Sequence, residues 1–591
     1  MSGDPSDLIL KLAERQVSIY RGQPAELMSH YNHECSVVES YRGRQLLELL
    51  QNADDAFDPR KRPSQLLFQL TPDCLIAANS GQPFTYEGIE SLVISDASPK
   101  QLHRTRCIGN KGLGFRSVLS WSSAPLVLSG NWSIAFSADH ARAQVEALAQ
   151  KDAGVGAKVQ KWRAARTDLP APVMRFPFVP SEDDPRLVAA RRLAAKGFDT
   201  VVVLPLLPTP SLERVRGEVL AQFADIAGET LLFCYHLEEL RIEASEGSFL
   251  AEWQLTRSED GGREKVLVAR QGVSPRGWTI HRRQGELPAS LVDAPSRDAT
   301  GWETAVAVPE DDVDPSQAKL CVFFPTDEVL PMRMLAHATL ETNDSRKRLN
   351  DHQANRFVLT QLAELMAEIA EGEARSNPAR GLRPMAGCES CDPELTKLGF
   401  REAVLAACRQ RRLFPRLDRQ MVSASEVRIA GHPVWAEIAT PIRFPELLWV
   451  PAEAISQELL AAVNLERYTE RELAERIQGH ARKLSAQESG ELLGRLLAAN
   501  QVPKGRSQRT GTVELKGNEL AAARVRGTRY YLYRVYCDPA DETHRELAVL
   551  GHPLNSPQAT IVETATFRLD EGSGASWYAV EMRADNASPE A

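Results

Sequence analysis

The sequence lacks an excess of basic charge, a cysteine framework and a long apolar run. Lys and Arg total 70 against 79 Asp and Glu, and the net charge of −9 argues against a surface coated with basic charge for nucleic acid. Nine cysteines in 591 residues are typical of a reduced protein, not of a disulfide scaffold. No apolar run approaches the roughly 18 residues of a membrane span, and the polar start of the chain resembles no signal peptide. We therefore expect a cytoplasmic protein that does not enter a membrane.

The chain also has no internal repeat and no Ser-His-Asp or Cys-His arrangement. Its length predicts about three to five domains. The spacing of apolar residues predicts helices over 8–20, 41–57 and 354–373, a buried strand over 199–206, and short strands between 248 and 330. We predict an α+β protein with a first domain over 20–245, a middle α+β domain over 246–375, a helical region over 390–500 and a small α/β domain over 505–583.

The most informative segment is the predicted helix Leu46-Leu-Glu-Leu-Leu-Gln-Asn-Ala-Asp-Asp-Ala56. Helical spacing places Glu48, Asn52 and Asp55 on one stripe, because steps of three and four residues share a face. Leucines cover most of the remaining circumference, which is typical of a buried helix, and carboxylates are costly to bury without a partner. Two interpretations follow: the stripe faces a ligand, or it merely faces water.

Two further segments favour a ligand. The strand Cys74-Leu-Ile-Ala-Ala-Asn79 ends at a polar Asn-Ser-Gly turn, and Cys107-Ile-Gly-Asn-Lys-Gly-Leu-Gly-Phe115 supplies three glycines before a helical run. Glycines let backbone N–H groups approach phosphates closely, and the start of a helix favours anions. A single Gly-rich loop is weak evidence, but three segments in this order and spacing predict a nucleotide site.

These three segments resemble the successive motifs of the GHKL ATPases, the class of the gyrases, heat-shock chaperones and histidine kinases. The form is most similar to the sacsin-like and heat-shock-chaperone-like branch. The detailed resemblance covers roughly residues 39 to 130, and looser similarity continues to about 373. It implies an N-terminal GHKL (Bergerat) α/β sandwich that binds ATP with Mg²⁺ and hydrolyses ATP slowly.

The resemblance also implies a role for each matching residue. Glu48 occupies the position of the general base, and Asn52 that of the Mg²⁺ ligand. Arg346, in the middle domain, aligns with an arginine that reaches the γ-phosphate; alternatively, Arg346, Lys347 and Arg348 form a solvated basic loop. The residues expected at the nucleotide are Asn52, Asp55, Asn79, Gly81, Ser98, Lys100, Gly109, Lys111, Gly112, Gly114, Phe115 and Thr200.

One departure from the family pattern concerns the base-binding position. Most of the class has an aspartate that accepts a hydrogen bond from the adenine amino group, whereas the aligned residue here is Asn79. An asparagine carbonyl can still accept that bond, although it lacks the charge. We therefore expect nucleotide binding to persist, with affinity or base selectivity open to change.

Two weaker signals lie towards the C-terminus. Cys388-Glu-Ser-Cys391 is a lone Cys-x-x-Cys without further ligands at zinc-site spacing, so loop thiols are the expected state. The tail resembles the end of a small restriction-nuclease-like domain, in which Glu514 and Lys516 have the Glu-x-Lys spacing of a metal site. No acidic partner strand lies upstream, so we expect a structural or nucleic-acid-contacting remnant.

The predicted function is that of an ATP-driven conformational switch, chaperone-like or part of a prokaryotic defence system. Two alternatives stay open: an ATP-gated interaction scaffold with little turnover, and a nucleic-acid-processing effector acting through the C-terminal domain. The expected cofactors are ATP and Mg²⁺. The expected partners are a second copy of the chain, bound when ATP binds, and co-encoded proteins.

Overall fold

The computed structural model divides the chain into two compact units. The N-terminal unit comprises residues 1–413 and 455–463, and the C-terminal unit comprises 414–454 and 464–591. The structure describes residues 4–94, 114–166, 168–208, 211–244, 249–291, 301–311, 319–330, 334–343, 348–388, 391–416, 418–430, 462–463, 465–468 and six strands between 511 and 581. Within these ranges no helix is both long and apolar enough to cross a membrane.

The described α-helices all belong to the N-terminal unit. They are α1 Pro5–Gly22, α2 Pro24–Ser40, α3 Gln45–Asp55, α4 Tyr86–Val93, α5 Ala138–Lys151, α6 Ala153–Ala165, α7 Pro185–Ala194, α8 Leu212–Asp225, α9 Gln353–Ala374, α10 Pro378–Gly381, α11 Arg383–Gly387, α12 Pro393–Lys397 and α13 Phe400–Gln410. The helix predicted over 8–20 lies within α1, whereas α2 is absent from the prediction. The helix predicted over 41–57 is shorter, because the chain first turns through Gly43, whose φ is +85°.

Thirteen described strands of the N-terminal unit form one mixed sheet. They are β1 Gln65–Leu70, β2 Cys74–Asn79, β3 Leu126–Ser129, β4 Trp132–Ala135, β5 Thr200–Pro205, β6 Glu239–Ala244, β7 Phe249–Asp260, β8 Arg263–Arg270, β9 Val273–Glu286, β10 Gly301–Pro309, β11 Lys319–Val322, β12 Phe324–Val329 and β13 Leu335–Ala338. Their order is β12-β11-β13-β10-β9-β8-β7-β6-β1-β2-β5-β3-β4. The pairs β1–β6 and β11–β13 are parallel.

Strand β5 illustrates how helices cover both faces of this sheet. Val202 and Leu204 belong to the large core that also contains residues of α3 and α8, whereas Val201 and Val203 pack with α7 on the other face. A strand buried on both faces reads as a continuous apolar run instead of an alternating one. The buried strand predicted over 199–206 is therefore confirmed.

The sheet is continuous across the boundary predicted near residue 245. Strand β6 pairs with β1 on one side and with β7 on the other. Leu240 of β6 and Trp253 of β7 are paired in register, and both are buried in the same core. The strands predicted for a middle domain thus extend the first sheet, because a short connection lets β7 pair directly with β6.

The described elements of the C-terminal unit are short strands and one 3₁₀ turn, Ala424–Glu426. The segments Phe414–Pro415 (β14) and Met421–Val422 (β15) pair antiparallel, and Arg428–Ala430 (β16) pairs parallel with Glu466–Tyr468 (β17). Two three-stranded antiparallel sheets follow, formed by β18 Gly511–Glu514, β22 Thr566–Leu569 and β21 Ala559–Glu563, and by β19 Tyr531–Cys537, β20 His544–Gly551 and β23 Ser576–Glu581. Most of the helical region predicted over 390–500 lies outside the described residues.

A buried histidine occupies the middle of β13. His337 is fully buried, and its Nδ1 accepts a hydrogen bond from the backbone N–H of Phe323 at 2.9 Å. Its ring lies 4.3 Å from the Phe323 ring and 5.5 Å from the Phe233 ring. Burial, reinforced by the positive charge of Arg282, lowers the pKa of His337 to about 3. The folded protein therefore keeps this imidazole neutral.

This neutral imidazole predicts a loss of stability in acid. In the unfolded chain His337 titrates near pH 6.5, so between that pH and about 3 the unfolded state binds the extra proton. Each pH unit of acidification in this window removes about 1.4 kcal/mol of its contribution to the free energy of unfolding. We expect His337→Asn to be less stable than wild type at pH 7, and the gap in urea unfolding to narrow towards pH 4. A gap that stays constant would contradict the assignment.

Candidate functional site

Helix α3 carries the residues that the sequence places at a nucleotide. Glu48 is buried, with 4% of its surface exposed, and Asn52 and Asp55 are half-buried. The spacing of these three residues puts them on one side of the helix. α3 packs its leucines into the core of the N-terminal unit, where Leu46 and Leu50 are fully buried. The polar stripe is therefore held in a largely enclosed position.

Gly114 lies directly against Glu48. A Cβ built on Gly114 would overlap Oε2 of Glu48 and lie 2.7 Å from its Cδ, so a side chain at this position would force the Glu48 carboxylate to move. Gly114 begins a 3₁₀ helix, Gly114–Ser120, in which Phe115 is buried. Gln45 Nε2, at the start of α3, donates to Ser120 Oγ at 2.7 Å. The end of the Gly-rich segment is thus attached to the first half of α3.

Gly81 packs against the other end of α3. Its φ is +139°, and a Cβ there would overlap the carbonyl oxygen of Ala56, which follows the helix. The same carbonyl accepts a hydrogen bond from Gln82 N at 2.5 Å. Asp199 holds this turn from the sheet side: its Oδ2 accepts from Gly81 N at 2.9 Å, and it pairs with Lys61. The Asn-Ser-Gly turn and the end of α3 are therefore in direct contact.

Three polar residues meet where adjacent strands end beside this turn. Asn79 is paired in register with Thr200, and Thr200 with Ser129. The hydroxyls of Ser129 and Thr200 are buried and lie 2.7 Å apart. Asn79 Nδ2 donates to the carbonyl of Ser80 at 3.1 Å. The structure thus brings the residue expected at the base together with Thr200.

Asp54 has a role that sequence reasoning missed. Its side chain is fully buried and accepts backbone hydrogen bonds from Tyr235, His236 and Leu237 at 3.0, 2.8 and 2.7 Å. Burial raises the pKa of Asp54, and the three N–H donors oppose that shift. A signal was present in the sequence: position 54 lies four residues after Leu50, on the apolar side of the helix.

The strands of the predicted middle region reach the start of α3. Arg44, which precedes α3 and is 4% exposed, donates to the carbonyl of Pro325 in β12 at 3.3 Å. Farther along β12, the buried carboxylate of Glu328 accepts from Leu349 N at 2.9 Å. Asn343 N donates to the Arg348 carbonyl at 2.9 Å, which joins the two ends of the segment that carries Arg346.

Several predicted residues lie outside the described part of the chain, and the structure is silent on them. They are Ser98, Lys100, Gly109, Lys111, Gly112, Arg346, Lys516 and the side chain of Glu514.

Cys388 is buried, and burial raises its pKa to about 12. No cluster of three or more His, Cys, Asp or Glu side chains suited to a metal ion occurs among the described residues.

Three surface cavities of the N-terminal unit lie away from the polar stripe of α3. One of about 650 Å³ lies between α2 and α8, another of about 650 Å³ between α2, α5 and α6, and one of about 500 Å³ between α1 and α2. None of these three is lined by Glu48, Asn52 or Asp55. The candidate site is therefore defined by the segments that converge on α3.

The described residues form a mixed α/β protein with one large mixed sheet and a largely buried helix, α3, whose ends contact Gly114 and Gly81. No protein-family model matches it. It is 32% identical to sacsin from Homo sapiens over 136 residues, which is 20% of this chain and 3% of sacsin. This partial similarity points to a sacsin-related region within the chain.

Two neighbouring aspartates of α3 should respond differently to the same substitution. In Asp54→Asn, one amide oxygen replaces a carboxylate that accepts three backbone N–H groups, so the free energy of unfolding should fall by about 2–4 kcal/mol. Half-buried Asp55 makes a matched control: Asp55→Asn should change it by about 1 kcal/mol or less. Urea unfolding of both variants measures this, and equal losses would contradict the structural role of Asp54.

Proposed function

We propose that the chain binds ATP with Mg²⁺ at α3 and hydrolyses it slowly, as a conformational switch of the GHKL type. The observation that carries this proposal is the contact of Gly114 and Gly81 with opposite ends of the helix that bears Glu48 and Asn52. The two glycines lie about 30 residues apart in sequence, and each allows the backbone of its segment to approach α3 closely. The partial similarity to sacsin agrees with this reading.

The donor atoms on α3 suit the proposed ligands. The carboxamide oxygen of Asn52 and the carboxylate of Asp55 are hard oxygen donors of the kind that Mg²⁺ prefers. When bound, Mg²⁺ would neutralise part of the phosphate charge. Glu48 is the proposed general base: its carboxylate would take a proton from the water that attacks the terminal phosphate, while the bond from that phosphorus to the bridging oxygen breaks.

The adenine ring of ATP would lie at the strand ends, beyond the end of α3 that contacts Gly81. Asn79 supplies a carbonyl acceptor for the adenine amino group. Thr200 and Ser129 form a paired hydroxyl unit on the adjacent strands, and this pair would supply a second polar contact to the adenine. Gly109, Gly112, Lys111, Ser98 and Lys100 are proposed to contact the phosphates.

We propose that the strands that follow β6 in the chain respond to whether the γ-phosphate is present. Arg44 links β12 to the start of α3, and Glu328 links β12 to Leu349 beside the segment of Arg346. An arginine brought to the γ-phosphate by this region would stabilise charge that develops during transfer. Hydrolysis would then change the contacts of the middle strands, which is what a chaperone-like or defence-associated switch requires.

Removal of the proposed base tests the proposal directly. Glu48→Ala should lower ATP turnover about 10²-fold or more, because general-base loss has that scale, while nucleotide affinity is kept. Glu39→Ala, which removes a side chain 76% exposed on α2, is the matched control and should turn over like wild type. Steady-state hydrolysis and calorimetry give both quantities.

Tight binding of ATP without turnover in wild type would favour the interaction scaffold, and metal-dependent DNA or RNA cleavage would favour the nucleic-acid effector.

A second test concerns Arg346. Arg346→Ala should lower kcat about 10²-fold or more, because the guanidinium would meet charge that exists only in the transition state. Nucleotide affinity should stay within a few-fold. Arg346→Lys should restore little, since an ammonium cannot make a two-pronged contact. Arg348→Ala, at an exposed neighbour, is the control. If both alanine variants behave alike, or if Arg346→Ala loses affinity and rate in equal proportion, the solvated basic loop is the better interpretation.

A further inference from the structure

A buried arginine connects α4 with the 3₁₀ helix that Gly114 begins. Arg116 is 2% exposed, and its Nη2 donates to the carbonyl oxygens of Leu92 at 3.1 Å and Val93 at 3.3 Å. Both carbonyls belong to the last turn of α4, Tyr86–Val93. The guanidinium thus joins the chain just before residue 95 to the chain just after residue 113.

The surroundings of Arg116 are built to hold a buried charge. Carbonyls at the end of a helix carry partial negative charge and favour a cation. The carboxylate of Glu34, 6% exposed on α2, accepts backbone hydrogen bonds from Val173 at 2.7 Å and Met174 at 3.0 Å. Burial raises the pKa of Glu34, and that shift is opposed first by the two backbone hydrogen bonds and then by the positive charges of Arg116 and Arg175. Breaking one part of such a buried set is strongly unfavourable.

The position of Arg116 relative to Gly114 gives this contact a consequence at α3. Ser117 Oγ donates to the Gly114 carbonyl at 2.6 Å, so the first turn of the 3₁₀ helix is closed. Arg116 lies in that turn and anchors it to α4. Gly114 in turn faces the Glu48 carboxylate so closely that a Cβ at position 114 would displace that carboxylate.

We propose that Arg116 is a positioning residue that holds the Gly114 backbone against the Glu48 carboxylate by tying the 3₁₀ helix to the end of α4. Its effect on turnover rests on the proposed function. Its effect on the local backbone does not. Without the tie, the 3₁₀ helix keeps its other contacts, such as the bond from Gln45 Nε2 to Ser120 Oγ at 2.7 Å, but its first turn holds Gly114 less firmly against the Glu48 carboxylate.

The chain offers a matched control for a buried arginine. Arg186, in α7, has 18% of its side chain exposed and donates from Nη1 to the carbonyl of Ala124 at 3.0 Å. It also pairs with Asp184, so its side-chain hydrogen bonds and ion pair in the described part of the chain are to Asp184 and Ala124. Replacing either arginine by methionine keeps the apolar stem and removes the donors to a backbone carbonyl.

The experiment compares Arg116→Met, Arg116→Lys and Arg186→Met in the full-length protein. We measure the ATP turnover of the folded protein, the affinity for ATP, and hydrogen exchange in peptides covering 86–94 and 114–120. For Arg116→Met we expect kcat to fall at least 10-fold, affinity to stay within 3-fold, and exchange in both peptides to rise at least 10-fold. Arg116→Lys should recover part of the rate, because an ammonium can bond one carbonyl but lacks the planar fork. Arg186→Met should leave both readouts at α3 unchanged.

The other possible outcomes separate the positioning role of Arg116 from the proposed function. Wild-type turnover by Arg116→Met with unchanged exchange overturns the positioning role. Equal losses of rate in Arg116→Met and Arg186→Met reduce Arg116 to a general stability contact, and so also overturn it. If wild type has no Glu48-dependent turnover, the proposed function fails. Hydrogen exchange then decides alone: faster exchange in both peptides supports the tie between α4 and the 3₁₀ helix, and unchanged exchange overturns it.

Discussion

The buried carboxylate of Asp54 is the constraint on which the geometry around α3 depends. It satisfies three consecutive backbone N–H groups, those of residues 235–237, and it is itself fully buried. Turning α3 about its axis would leave a buried charge and three buried or half-buried backbone donors without these partners, which is costly. The stacked rings of Phe57 and His236, 4.3 Å apart, reinforce the same junction. The direction of the polar stripe is therefore fixed by the opposite face of the helix.

Once the direction of α3 is fixed, the space around its polar residues follows from the backbone. Gly114 meets the helix at Glu48 and Gly81 meets it at Ala56; a Cβ would clash with the Ala56 carbonyl at Gly81 and would displace the Glu48 carboxylate at Gly114. The Asp199 carboxylate holds the Gly81 turn, and the Arg116 guanidinium holds the Gly114 turn. Both anchors are charge-assisted hydrogen bonds, which are stronger than neutral ones. The walls of the proposed site are thus backbone segments, each anchored in part by a buried or half-buried ion.

The loop that binds Asp54 also contacts the strands of the middle region. The Tyr235 ring lies 5.6 Å from that of Phe323, whose backbone N–H binds the buried His337. Arg44 adds a second contact between the same strands and the start of α3. Because one sheet runs through both predicted domains, β12 and α3 belong to a single packed unit. A rearrangement of these strands would therefore change contacts that they already make with the start of α3 and with the loop that binds Asp54.

The sequence by itself determined the elements that depend on neighbours along the chain. The stripe of Glu48, Asn52 and Asp55 follows from helical spacing, and the buried strand β5 follows from its run of β-branched residues. Tertiary structure alone decided which aspartate of α3 is structural, since the partners of Asp54 lie more than 180 residues away in sequence. The same holds for the contact of Arg44 with Pro325, 281 residues apart, and for the pairing of β6 with β7 across a predicted boundary. Local sequence patterns predict which side of a segment is buried. They do not predict which distant backbone groups complete its hydrogen bonds, and those groups set the geometry of the site.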